Sequence, residues 1–402
     1  MKRLTRLRWS GIGALVVVVT LSAVVLSLAE SRDPARRTRV STAGPEPTAQ
    51  GVRFPANFRD RNGDYAMSAV EDDYVFLFGG RVQRGGSEFA PGDGARYDVK
   101  TRSWIRVAAP EGLTIGSAIS YSDRSATYVL GNECTGQNHD LESEEPCRPG
   151  TLQVLRYEIS HRKWDRLGTP ERPADSIIVA IGAAGGKVYV ATEPPQLDSA
   201  LTFDSYDLVG QRWEHLPSPD RFSRSLCFSG GRLVSISWNQ TLDGVVVPSD
   251  QSPPGLPPTG SVNVAADAWN ETNGAWVIAA PTPNLAGTIG PHVVCGTSRV
   301  MIAATVGPGT DGPVAVFSPA SGEWQSLPPA SVSATGQVFV LDADLVNTWS
   351  GSDHMISAGP DSASWTDIGE PPAPSTSVYR SLPYGRRTML VISRETPVFI
   401  ST

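Results

Sequence analysis

Short apolar runs recur along the chain, each bounded by glycine, serine, threonine or charged residues. Val75-Phe76-Leu77-Phe78, Thr127-Tyr128-Val129-Leu130, Lys187-Val188-Tyr189-Val190, Arg232-Leu233-Val234-Ser235-Ile236 and Arg299-Val300-Met301-Ile302 occupy equivalent places. They are short, β-branched or aromatic, and flanked by turn formers, which predicts buried strands rather than helices.

A second signature follows each run. Tyr97-Asp98-Val99-Lys100-Thr101-Arg102-Ser103-Trp104 opens on an aromatic residue, passes through a polar turn and ends on tryptophan. Further anchors stand at Trp164, Trp213, Trp276, Trp324 and Trp365. The aromatic residue seven positions earlier is Tyr157, Tyr206, Trp269 and Phe317 in the next four copies, and Ala358 replaces it in the last. Thr101, Gly210, Asn273-Gly274 and Ser321-Gly322 fill the gap, where a polar side chain can cap the backbone and Gly or Asn tolerates positive φ. Each copy is therefore predicted to be a hairpin. Prolines such as Pro110, Pro170, Pro217 and Pro328 then end the second strand by withholding a ladder donor.

The tryptophans are spaced 60, 49, 63, 48 and 41 residues apart. Four strands with their turns need about 40–50 residues, so each unit is one four-stranded sheet, some with insertions. Sheets this small cannot bury both faces alone; radial stacking about an axis solves that, and the expected class is all-β, a β-propeller. Residues 375–402 supply three strands and Gln50–Phe58 an orphan fourth, so pairing the two ends closes the ring. Seven blades are expected, with six as the alternative. The six tryptophans are expected in the core between sheets.

Gly79-Gly80, then Tyr97-Asp98 and Thr101, then Trp104, resembles a kelch repeat, with later copies degenerate. The resemblance covers about residues 50–402. It implies a kelch-like propeller of the galactose oxidase/kelch type, here a membrane-anchored, bacterial-type member. Some kelch-like proteins are copper oxidases, which would require Tyr, His and Cys ligands converging at the axis; the sequence offers no such set.

Charge changes the picture at the N-terminus. Lys2, Arg3, Arg6 and Arg8 precede an uncharged run from Ser10 to Ala29, and roughly 20 apolar residues span a bilayer core. The expected order is a cytoplasmic basic segment (1–9), a transmembrane signal-anchor (10–29), a flexible tether (30–49) and the propeller (50–402) on the extracytoplasmic side. Cleavage after Ser27-Leu28-Ala29, giving a secreted protein, is the alternative. Residues 40–402 carry 26 basic and 39 acidic side chains, a net charge of −13. That balance argues against nucleic acid as a partner.

Four cysteines suit an oxidising compartment. Cys134 and Cys147 bracket an acidic loop and are expected to bridge; Cys227 and Cys295, at similar positions of consecutive repeats, could also meet. Asp140, Glu142 and Glu144 are a weak Ca²⁺ candidate, without the ligand spacing of a known loop; otherwise no metal and no cofactor is expected. No G-x-S-x-G and no phosphate loop is present, and the five histidines (139, 161, 215, 292, 354) lie in different units. No catalytic residue is assigned.

The second-to-third connections are long (81–94, 131–151, 193–200, 239–260), whereas the third-to-fourth turns are short. Function is expected on the long-connection face. The expected protein is a monomeric binding module for a protein or envelope glycan. A carbohydrate-active enzyme, hydrolase or oxidase, with its site at the propeller channel is the alternative. Replacing Trp104, Trp164, Trp213 or Trp324 by alanine is expected to cost about 3–5 kcal/mol, read from denaturant melts; near-neutral effects would overturn the repeat assignment.

Overall fold

The computed structural model describes residues 50–51, 58, 61–70, 73–84, 87–89, 91–135, 148–172, 176–194, 201–219, 225–242, 245–247, 260–279, 285–286, 292–296, 298–303, 311–331, 338–341, 346–349, 355–358, 364–369, 378–383, 388–393 and 397–401. Contacts divide the chain into Met1–Arg39 and Val40–Thr402, and every described residue belongs to the second unit. The basic segment, the anchor and the tether expected before residue 50 lie outside the described residues. Among the described residues no helix is long and apolar enough to cross a membrane.

The strands form seven antiparallel sheets. The first contains, from inside to outside, Arg61–Val70, Tyr74–Arg84, Gly94–Asp98 and Ser103–Val107. The second contains Ile115–Ser122, Ala126–Thr135, Arg148–Glu158 and Lys163–Arg166, and the third Ile177–Ala184, Lys187–Glu193, Thr202–Asp207 and Arg212–Leu216. The fourth contains Ser225–Ser229, Arg232–Leu242, Gly260–Asn270 and Ala275–Ile278. The fifth contains His292–Cys295, Val300–Ala303, Asp311–Ser318 and Glu323–Ser331, and the sixth Val338–Leu341, Val346–Trp349, Met355–Ala358 and Thr366–Gly369. The seventh takes Val378–Pro383, Thr388–Ser393 and Pro397–Ser401 from the C-terminal end and Gln50–Gly51 as its outermost strand. Gln50 lies opposite Phe399 and Gly51 opposite Val398. Each innermost strand touches the innermost strand of the next sheet, and that of the seventh touches that of the first. The sheets therefore stand around an axis, as in a β-propeller.

The seven-residue spacing becomes a cross-strand register. Tyr97 pairs with Trp104, Tyr157 with Trp164, Tyr206 with Trp213, Trp269 with Trp276 and Phe317 with Trp324. Ring centroids in these pairs lie 5.0–5.7 Å apart, contacts that stabilise beyond the buried area. The tryptophans sit on or beside the outermost strands and are half-buried. They flank the core clusters rather than fill them. Trp164 reaches the preceding sheet, 5.1 Å from Phe78.

Four of the indoles also have a polar task. Trp164 Nε1 donates to Ala108 O (2.8 Å), Trp213 to Leu167 O (3.2 Å), Trp276 to Pro217 O (2.7 Å) and Trp365 to Pro328 O (2.9 Å). Every acceptor lies three or four residues after the tryptophan of the preceding sheet, so the indole staples one sheet to the next. The corresponding carbonyl for Trp324 would be that of Ala280, outside the described residues; its N–H is buried without a partner among the described residues.

The hairpin turns share one conformation. Positive φ falls two residues before the tryptophan, at Arg102, Arg162, Gln211, Gly274 and Gly322. Gly210, expected to supply that freedom, lies one position too early, and Gln211 carries the left-handed residue instead. Asp98 Oδ1 accepts the amide of Thr101 (2.8 Å) and Asp207 Oδ1 those of Val209 (2.9 Å) and Gly210 (3.0 Å). These amides hold both carboxyls below the usual carboxylate range. Left-handed backbone costs a non-glycine residue about 1–2 kcal/mol, while glycine loses about 0.5–1 kcal/mol of unfolded-state entropy. Gln211→Gly is thus expected to raise the melting temperature slightly and Gly322→Ala to lower it; equal shifts in thermal melts would contradict the shared turn geometry.

Candidate functional site

On the long-connection face strands continue into several of the long connections. Tyr74–Arg84 outruns its partner and turns back as Ser87–Phe89, pairing Val82 with Phe89. Ala126–Thr135 and Arg148–Glu158 extend as a ribbon with Cys134 opposite Pro149. Arg232–Leu242 pairs with Val245–Val247 and with the start of Gly260–Asn270, where Leu285–Ala286 adds a further strand. Backbone hydrogen bonding explains this: main-chain N–H and C=O groups pair whatever the side chains, so the ladder continues until turn residues stop it.

At this end of the sheets charged and polar side chains pair. In the first sheet the Arg61 guanidinium donates to Asp93 Oδ1 and to Asp93 O (3.1 Å), and Arg106 Nε to Asp93 Oδ2 (3.3 Å). Burial pulls the Arg61 guanidinium below its usual range, and the Asp93 carboxylate opposes that shift. The Arg61 guanidinium also stands 3.8 Å over the Phe58 ring. In the third sheet Arg172, from the connection that precedes it, grips Asp204 through Nε (2.9 Å) and Nη2 (2.6 Å). His215 Nδ1 lies 3.2 Å from Asp204 Oδ1 and 2.9 Å from Arg172 Nη2. Arg106 and His215 hold the same place, two residues after Trp104 and Trp213. In the second sheet Glu133 accepts from Thr151 Oγ1 (3.0 Å) and Gln153 Nε2 (3.1 Å).

Chemically these are latches. A bidentate arginine engages both carboxylate oxygens of Asp204. Glu193 differs. It ends the second strand of the third sheet, opposite Ile177 at the start of the innermost strand, and burial pushes its carboxyl above the usual range. Sequence reasoning passed over Glu193; its signal was a lone acid closing an apolar strand at the long-connection end. Between the outer edges of the third and fourth sheets lies a hollow of about 220 Å³ lined by Pro217, Ser218, Asp267, Trp276 and Ile278, smaller than the roughly 300–1,000 Å³ of a ligand pocket.

Cys227 and Cys295 are joined in a disulfide with Cα atoms 6.1 Å apart, linking the innermost strands of the fourth and fifth sheets. Cys134 is disulfide-bonded; Cys147 lies outside the described residues, as do Asp140, Glu142, Glu144, His139 and His354. Among the described residues no three metal-ligating side chains cluster. His161 stands beside Glu158, 3.0 Å away, in the turn of the second sheet, far in sequence from His215.

No protein-family profile matches the chain, and no curated protein does. Solved structures do match in shape. A structure of YCF48 bound to D1 peptide aligns with a TM-score of 0.50 and 13% identity, covering 92% of this chain and 99% of that one. A streptogramin B lyase structure aligns with a TM-score of 0.53 and 7% identity, covering 90% of this chain and 99% of that one. This chain has a β-propeller fold. At such identities the likeness is one of fold.

Severing a latch should expose its value. Arg172→Met strands a buried carboxylate and is expected to cost about 3–5 kcal/mol, whereas Lys163→Met at the exposed outer edge should change stability by less than about 1 kcal/mol; urea melts of the two variants check this.

Proposed function

We propose that the chain is a seven-bladed, kelch-like propeller, tethered outside the cell by the segment Ser10–Ala29 and acting as a monomeric binding module for a protein or envelope glycan. One observation carries the reading: on the long-connection face strand ribbons leave the first, second and fourth sheets, and the buried pairs Arg61–Asp93 and Arg172–Asp204 fix that same end of the first and third sheets. Rigid bases with variable tips present a surface with little ordering cost on binding. The disulfide Cys227–Cys295 supports an oxidising compartment. The propeller solved with a peptide bound offers a precedent for a protein ligand on this shape.

Glu193 favours a second reading, an enzyme acting on carbohydrate at the channel. A carboxyl raised by burial is suited to general-acid work, and a propeller lyase has this shape.

Photo-crosslinking from the intact chain tests the first reading. A crosslinker replacing Glu88, on the ribbon of the first sheet, is expected to trap a partner. One replacing Val209, 90% exposed on the turn face, is expected to trap none. Equal capture from both positions would overturn the choice of face. Turnover of an envelope polysaccharide that vanishes in Glu193→Gln would favour the enzyme instead.

A further inference from the structure

The sequence contains two Asn-Gly pairs that the structure places in opposite settings. Asn62-Gly63 lies within the innermost strand of the first sheet, with Asn62 opposite Arg81 and a shift of register between Asn62 and Tyr65. Asn273-Gly274 lies in the hairpin turn of the fourth sheet, and both residues are exposed. Gly274 has a φ of +58°, and nothing stands within 4 Å of where its side chain would be. The Asn270 side-chain oxygen accepts the amides of Thr272 (3.0 Å) and Asn273 (3.4 Å), so this cap does not engage the next nitrogen, that of Gly274.

We propose that Asn273 is a site of spontaneous covalent modification. The main-chain nitrogen of Gly274 attacks Asn273 Cγ. The new N–Cγ bond forms as the Cγ–Nδ2 bond breaks, the Gly274 N–H proton passes to the departing nitrogen, which leaves as ammonia, and a succinimide ring closes. Water then opens the ring at either carbonyl, giving aspartate or isoaspartate; no electrons are transferred. The reaction needs a glycine at the following position, for access to its nitrogen, and a backbone free to rotate. An exposed turn tip meets both conditions. A hydrogen-bonded strand must first open.

The location gives the change a consequence. Glu271, two residues before Asn273, accepts from Tyr189 Oη (2.5 Å) and Trp269 Nε1 (3.2 Å) and is paired with Lys187 Nζ. It therefore ties the fourth sheet to the third on the turn face. Isoaspartate adds a backbone atom and a second carboxylate beside this clamp.

The test incubates the intact chain at mildly alkaline pH and maps peptides by mass, with isoaspartate detected by enzymatic methylation. The peptide holding Asn273 is expected to gain about one mass unit at least about tenfold faster than that holding Asn62. In the urea-unfolded chain the two should convert at similar rates. Gly274→Ala, whose added methyl meets no neighbour, is expected to suppress the product at Asn273. Conversion of Asn273 no faster than Asn62 in the folded chain, or conversion undiminished in Gly274→Ala, would overturn the proposal.

Discussion

A four-stranded sheet with apolar side chains on both faces has no stable existence alone, and that constraint organises this molecule. Val75 and Leu77 point into one cluster while Phe76 and Phe78 point into another. The second of these clusters is completed by Val129, Leu155 and Tyr157 of the next sheet. The same sharing recurs between the second and third, third and fourth, and fourth and fifth sheets. Each sheet needs a neighbour on both sides, so an open row would leave two bare faces. Circular order removes them, and Gln50–Gly51 completing the seventh sheet joins the two ends of the chain in one hydrogen-bonded unit.

The joints between innermost strands are not alike. Between the first and second sheets, Ser120, Ser68, Ser122, Thr127 and Tyr74 form a chain of hydroxyls with separations of 2.7–3.3 Å, ending on Asp123 O. Burial pushes the Tyr74 hydroxyl far above its usual range, keeping it a donor. Around the third sheet the joint is aromatic: Phe228 packs on Tyr121 and Tyr189. Its ring occupies the space where a Gly182 side chain would stand, which only glycine permits. Between the fourth and fifth sheets the joint is covalent.

Much of the fold was legible because it is periodic. The tryptophan spacing, the aromatic residue seven positions before it and the turn residues between them encode a hairpin register directly. Less legible was whatever depends on partners distant in sequence. Nothing local marks Arg172 as the partner of Asp204, 32 residues away, and a long polar insertion looks like a loop whether or not its first residues extend a ladder. Left-handed Arg102 and Gln211 escaped notice because the signal lies upstream, in the carboxylates of Asp98 and Asp207 that cap their turns. Function was least legible, since a repeated scaffold determines where side chains are displayed and leaves their chemistry free to vary.

The disulfide joins residues separated by 68 positions, and all four main strands of the fourth sheet except the first residues of Ser225–Ser229 fall inside that loop. Pulled from its two ends, the ring would part first at the short pairing of Gln50–Gly51 with Pro397–Ser401. Extension would then run inward from both sides and stop at the sulfurs. About 3.3–3.6 Å per residue of contour length inside the loop would remain hidden from the force. The molecule is mechanically two objects: an extensible ring and, within it, one sheet that tension cannot unravel.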